Sequence, residues 1–167
     1  MHVSRSRVWF VWAMAVLFVA AAVGYTLAAD AQQVGIAKCK MCHMSENKIW
    51  MESKHAKAFE SLKPEDQKKP ECLSCHTTGA GQPAAEGADL KGVQCEACHG
   101  AGSLYKAADV MNKAKYAADR TAAHKKAMDL GLVVPDEKTC TGCHNSKSPT
   151  FKGFDFKTSV EKIKHWK

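Results

Sequence analysis

Large apolar side chains and strand-forming runs are scarce in this sequence. Aromatic residues make up 8% of the 167 residues, and beyond residue 30 runs of Val, Ile, Phe and Tyr are nearly absent while Lys, Ala and Gly are abundant. A domain so poor in apolar material would struggle to build a core, so something else must supply buried apolar area. The chain also lacks a P-loop and a dinucleotide-binding motif, and we expect one domain without a sheet or an internal linker.

No cysteine is left over once the cysteines are grouped by spacing. All eight fall into C-x-x-C pairs, and a histidine follows every pair. The signature C-x-x-C-H attaches c-type haem, because two thiols form thioethers with one haem and the adjacent histidine lies under its iron. In chain order, motifs 1 to 4 are Cys39-Lys-Met-Cys42-His43, Cys72-Leu-Ser-Cys75-His76, Cys95-Glu-Ala-Cys98-His99 and Cys140-Thr-Gly-Cys143-His144.

Three other uses of paired cysteines explain less of this pattern. Disulfides in an exported protein and structural zinc sites both leave the four following histidines unexplained. A thioredoxin-like redox pair needs a βαβ pattern, which the sequence lacks. The sequence therefore predicts four covalently bound haems c, with the eight cysteines as attachment points and His43, His76, His99 and His144 as proximal ligands.

Three further histidines are candidates for the sixth ligand of the irons. They are His55, in a helix-favouring segment 49–62 that stops at Pro64, His124, late in an Ala/Lys-rich stretch 103–130, and His165, after a short terminal helix. His2 precedes the apolar N-terminal segment and is discounted. Methionine is the alternative ligand, but the methionines near motif 1 are poorly placed and the others favour packing. Three histidines cannot serve four irons, so one iron is expected to stay open.

The N-terminus predicts export from the cytoplasm. Arg5 and Arg7 precede an uncharged, mostly apolar run over residues 8–29, which is typical of a signal peptide but long enough for a membrane anchor. Residues 1–29 are therefore interpreted as a signal or an inner-membrane anchor, and residues 30–167 as the haem domain, located in the periplasm. The formal net charge of +7 does not indicate nucleic-acid binding, because no binding motif accompanies it.

Beyond these motifs, the flanking residues resemble the tetrahaem cytochrome c-554 family. The resemblance rests on Ser-Lys-His55-Ala-Lys-Ala-Phe-Glu-Ser-Leu-Lys-Pro64 after motif 1, on Thr-Thr-Gly-Ala-Gly-Gln82 after motif 2, on Gly92-Val-Gln before motif 3 with Gly-Ala-Gly102 after it, and on the closing Phe154-Asp-Phe-Lys with His165. It implies a mostly helical fold of short helices and loops wrapped round closely packed haems. It also implies periplasmic electron transfer, in the family from hydroxylamine oxidation toward the quinone pool.

The resemblance further implies which haem each histidine serves. His55 would serve the haem of motif 3, His165 that of motif 4, and the haem held by His76 would be open. The family places the remaining distal histidine soon after motif 3, where this sequence has Tyr105 and Lys106. Either His124 takes that role for the haem of motif 1, which we favour, or that haem is open as well.

The function expected from the sequence is electron transfer between redox partner proteins, from a redox enzyme to the quinone or respiratory chain. We favour a carrier over an enzyme, so no catalytic residue is assigned. One alternative is reduction of a small molecule such as nitric oxide at an open iron on His76. The other is a fixed electron-transfer subunit of a membrane complex, held by residues 8–29.

Overall fold

The computed structural model describes residues 31–165, which form short helices joined by turns and loops. The helices are α1 (Ile36–Cys39), α2 (Met44–Glu52), α3 (Pro70–His76), α4 (Cys95–His99), α5 (Lys113–Ala118), α6 (Arg120–Asp129), α7 (Glu137–Thr141) and α8 (Phe156–Val160), with one 3₁₀ turn at Asp66–Lys68. Extended pairing within residues 31–165 is limited to two isolated bridges. The expectation of a mostly helical chain of short helices and loops is confirmed.

Local polar residues set where the later helices begin. The side chains of Asn112, Asp119, Asp136 and Asp155 accept a backbone N–H in the first turn of α5, α6, α7 and α8 respectively. Such caps satisfy donors that the helix itself leaves unpaired. The caps matter here because these helices have 5 to 10 residues, lengths at which isolated helices are unstable.

Two predicted helices are interrupted. The expected helix over 49–62 ends at Glu52, because Ser53 takes an extended backbone and its hydroxyl donates to Trp50 O at 2.6 Å. The stretch 103–130 is helical only from Lys113, and Asp119 divides it by capping a second helix. Gly131 follows this stretch with φ of 99°.

The apolar core of the described residues is small, as its composition predicts. Its buried apolar side chains are Val34, Tyr105, Val110 and Ala127. The last three form one cluster, which joins α6 to the loop after motif 3. No helix within residues 31–165 is long and apolar enough to cross a bilayer, and the apolar run 8–29 lies outside the described residues.

Candidate haem-binding site

Each C-x-x-C-H motif is wound into a helical turn. Motifs 2 and 3 lie within α3 and α4, while motifs 1 and 4 begin at the ends of α1 and α7 and continue into turns. The N–H of His43 donates to Cys39 O at 3.1 Å, and that of His144 to Cys140 O at 3.0 Å. Residues three and four apart share one helix face. Both thiols and the imidazole of a motif therefore project to the same side, as attachment to one haem requires.

The cysteines of different motifs lie next to one another. The thiols of Cys39 and Cys95 are close enough to affect each other's pKa, as are those of Cys75 and Cys143. Sγ of Cys143 also lies 4.0 Å from the carbonyl oxygen of Ser74, which precedes Cys75. Cys98 also interacts electrostatically with Cys140 and Cys143. The attachment points therefore form a continuous series in the order motif 1, motif 3, motif 4, motif 2.

All eight thiols are free of disulfides, and several are shielded from water. Burial is the main cause that raises the pKa of Cys98 and of Cys143, each to about 11. A buried thiol in apolar surroundings stays protonated and inert. Cys98 and Cys143 therefore do not resemble an activated redox cysteine.

Each of two candidate distal histidines faces a different proximal histidine. The distance between the ring centroids is the one expected for two ligands of the same iron. An imidazole nitrogen binds a first-row metal at roughly 2 Å, so rings on opposite sides of one iron have centroids roughly 6 Å apart. The centroids of His55 and His144 are 6.0 Å apart, and those of His99 and His165 are 5.9 Å apart. The donor sets of motifs 3 and 4 therefore fit a haem with two histidine ligands.

This arrangement reverses the pairing that the family resemblance implied. His55 faces the histidine of motif 4 rather than motif 3, and His165 faces that of motif 3 rather than motif 4. His55 also lines the cleft that contains His99, but the ring that it faces at 6.0 Å is that of His144. The order of ligands along the chain does not determine the pairing, because the turns after α2 bring residue 55 beside a motif that follows almost ninety residues later.

Backbone contacts hold His55 in place. Its carbonyl accepts the N–H of Val93 at 3.0 Å, and Val93 O accepts the indole N–H of Trp50 at 2.7 Å. A Cβ on Gly92 would lie 2.9 Å from Ala56 O, and this glycine has φ of 80°, so only glycine allows the close approach of the two segments. Neither Trp50 nor Gly92 was predicted to position a ligand. Gly92 lies just before motif 3 and Trp50 lies seven residues after motif 1, and these positions are the signal that could have drawn attention to them.

The proximal imidazoles are held in a definite orientation. Nδ1 of His76 lies 2.7 Å from Ala58 O, and Nδ1 of His99 lies 3.1 Å from Val133 O. A carbonyl only accepts, so Nδ1 carries the proton and Nε2 is left to bind metal. Burial lowers the pKa of His99 and of His55, and His144 lowers that of His55 further. Both imidazoles therefore favour the neutral form that ligates iron.

The cleft beside motif 3 is largely apolar, with Glu46, Ser53 and Gln94 also among its lining residues. The cleft beside Cys95, Cys98, His99 and His165 is walled by the side chains of Ile49, Trp50, Val93 and Ile163. Near motif 4, the ring of Phe154 stacks on His144 with centroids 4.7 Å apart and planes 12° apart. Thiols, imidazoles and apolar walls are the groups that covalent haem needs, so the residues present fit the cofactor.

His43 and His76 have no histidine ring against them within residues 31–165. The side chain of His43 is 55% exposed, and its Nδ1 lies 3.9 Å from Oε2 of Glu46. His124 lies on α6, half-buried, and in the described part of the chain its ring contacts no other histidine ring. The structure thus brings His55 and His165 to proximal ligands and does not bring His124 to one.

Comparison with known proteins agrees with this site. Residues 38–100 match the model of the family described as cytochrome c554 and c-prime. The chain is similar to cytochrome c-554 of Nitrosomonas europaea, with 32% identity over 157 residues that cover 78% of this chain and 65% of the relative. It is also similar to the solved reduced state of cytochrome c554 from that organism, with a TM-score of 0.58 and 26% identity over 80% of this chain and 79% of the other.

Proposed function

We propose that this chain, which belongs to the cytochrome c554 family and carries four covalently bound haems c, transfers electrons between redox partner proteins in the periplasm. The observation that carries the proposal is the continuous series of attachment sites from motif 1 through motifs 3 and 4 to motif 2. Electrons can pass along such a series without any substrate chemistry. When bound, each haem supplies a one-electron centre whose potential depends on its ligands, its burial and nearby charge.

Different residues of the chain attach the haems and ligate their irons. The cysteines of each motif anchor one haem, and His43, His76, His99 and His144 serve as proximal ligands. We assign His55 as sixth ligand to the iron of motif 4 and His165 to that of motif 3, on the strength of the 6.0 Å and 5.9 Å ring separations.

We assign His124 to the iron of motif 1 because of the face of α6 on which it lies. It lies three residues before the fully buried Ala127 and so on the same face of α6. Ala127 packs with Tyr105, which is close enough to Cys39 for that thiol to affect its pKa. The helix face that bears His124 is therefore turned toward the surroundings of motif 1.

The iron on His76 is proposed to stay open on its distal side. Nδ1 of this imidazole lies 2.7 Å from Ala58 O, so Nε2 would hold the iron. No histidine within residues 31–165 remains for the opposite side of that iron. This vacancy favours a second candidate function, the reduction of a small ligand such as nitric oxide. Binding alone would not establish it, because turnover also needs protons and product release.

Export is the remaining part of the proposal. The run 8–29 directs the haem domain across the inner membrane and is then either cleaved or retained as an anchor. The proposed route of electrons, from a redox enzyme to the quinone or respiratory chain, follows the family expectation. A retained anchor would favour a fixed subunit of a membrane complex over a freely diffusing carrier.

Mass spectrometry and potentiometry of the purified holoprotein test the main proposal. We expect a mass gain of four haems that denaturation does not release, and the uptake of four electrons per chain. The Cys75→Ser variant should weaken the attachment of one haem and leave the other three. Loss of all haems on denaturation, or reduction by fewer than four electrons, would overturn the proposal. Consumption of nitric oxide by the reduced protein over many turnovers would favour the enzyme instead.

A further inference from the structure

Glu96 is a buried carboxylate inside motif 3. Its residue is 3% exposed, although both neighbouring positions in the chain are more open. Oε1 accepts the backbone N–H of Gly102 at 2.6 Å, and Oε2 accepts that of Gly35 at 2.7 Å. The N–H of Val34 is shared between the two oxygens at 2.9 and 3.0 Å. This single side chain therefore ties the segment before α1 and the loop after α4 to the motif.

The hydrogen bonds indicate that this carboxylate is ionised. Every group that the structure places against its oxygens is a donor, and an ionised carboxylate is a pure acceptor, whereas a protonated one must donate. No Lys, Arg or His within residues 31–165 forms an ion pair with Glu96. Its negative charge is balanced only by N–H dipoles, so much of its field remains in a region of low dielectric.

The field of Glu96 acts on one pair of attachment sites. Glu96 directly follows Cys95, whose thiol is close enough to Cys39 of motif 1 for each to affect the pKa of the other. Its charge disfavours the thiolates of both these cysteines. Burial and neighbouring cysteines raise the pKa of Cys98 and of Cys143, and Glu96 is not among the causes. The carboxylate lies within motif 3 and binds the N–H of Gly35, whose carbonyl lies 3.8 Å from Sγ of Cys39 in motif 1. It also lines a cavity with Cys75 of motif 2 and Cys143 of motif 4, but it has no hydrogen bond to either of those motifs.

We propose that Glu96 lowers the reduction potentials of the haems held by motifs 1 and 3, an inference that rests on the proposed electron-transfer function. Reduction adds one electron to a ferric iron and makes it ferrous, which removes one positive charge. A nearby buried negative charge favours the more positive oxidised state. Glu96 thus biases an electron toward motifs 4 and 2, where the open iron of His76 lies at the end of the series.

Spectroelectrochemical titration of the holoprotein tests this role. In the Glu96→Gln variant we expect the midpoint potentials of two haems, those of motifs 1 and 3, to rise more than those of the other two. The matched control is Glu71→Gln, which removes an exposed charge next to Cys72 of motif 2. That charge is not among those that act on Cys39 or Cys95, so its removal should leave the potentials of the haems of motifs 1 and 3 unchanged. No rise in Glu96→Gln, or an equal rise in all four haems, would overturn the proposal.

A second variant keeps the inference testable if Glu96→Gln does not fold. Lys106 is exposed, and its positive charge acts on Cys39 in the opposite sense to Glu96. Lys106→Met should lower the potential of one haem, that of motif 1, by less than Glu96→Gln raises it. An unchanged or raised potential would contradict an electrostatic role at this position. Low-spin spectra retained in both variants would show that ligation is intact and that charge alone causes the shifts.

Failure of this inference is distinguishable from failure of the proposed function. Four covalent haems with normal electron uptake and no shift in Glu96→Gln would remove only the role of Glu96. Fewer than four haems in the unmodified protein would remove the proposed function itself.

Discussion

The histidines of motifs 3 and 4 differ from those of motifs 1 and 2 in what lies against their rings. His99 and His144 each face a second histidine at about 6 Å. His43 and His76 are held on one side, by Glu46 and by Ala58 O, and face no histidine ring in residues 31–165. The donor sets of motifs 3 and 4 thus fit iron with a histidine on both sides, whereas those of motifs 1 and 2 include one histidine ring each. Under the proposed function, this difference would separate electron transfer from the access of a small ligand.

The strongest test of this contrast removes the facing histidines. In His55→Ala and in His165→Ala, we expect one haem to change from low spin to high spin, because its iron loses the sixth ligand. Electron paramagnetic resonance of the oxidised protein counts the haems of each kind. Lys57→Ala, an exposed neighbour of His55, is the control and should leave the spectrum unchanged. If His55→Ala also left it unchanged, the assignment of that residue would be wrong.

Carbon monoxide tests which irons lack a sixth ligand. The reduced protein should bind it at one haem, that of His76, with a Soret shift of one-haem amplitude, because haems with two histidine ligands resist the gas. In His124→Ala the amplitude should double as the iron of motif 1 opens. The same one-haem amplitude in the variant would mean that His124 is no ligand. No shift in the unmodified protein would mean that all four irons are six-coordinate.

A smaller effect is expected from the ring that supports motif 4. Phe154→Leu removes the stacking on His144 and should lower the free energy of unfolding by about 1 kcal/mol, the size of an aromatic pair. Guanidinium denaturation of the holoprotein, followed at the Soret band, measures it. Phe151→Leu is the matched control, since Phe151 is 40% exposed and its change should fall within roughly 0.5 kcal/mol. Equal losses in the two variants would rule out a specific role for the stacked ring.

The identity of the site could be predicted from sequence because the chemistry is local. Cys95, Cys98 and His99 lie within five residues, and one helical turn is enough to bring them to the same face. The scarcity of large apolar residues likewise predicted a thin core, and the buried cluster around Tyr105 is small. The prediction of one helix over 49–62 was wrong, because the helix ends where the hydroxyl of Ser53 donates to the carbonyl of Trp50. Helix propensity does not account for such a competing side-chain hydrogen bond.

What the sequence determined by itself was therefore the kind of cofactor, its number and the residues that attach it, since each motif is complete within five positions. Only the tertiary structure shows which histidine rings face each other, His55 with His144 and His165 with His99, and the order in which the attachment sites adjoin. It also revealed that Glu96 is a buried anchor rather than a surface charge. These relations join residues tens of positions apart, and turns with no strong periodic signal bring them together. The physical reason is that ligation and electrostatics depend on distance in space, which spacing along the chain does not encode.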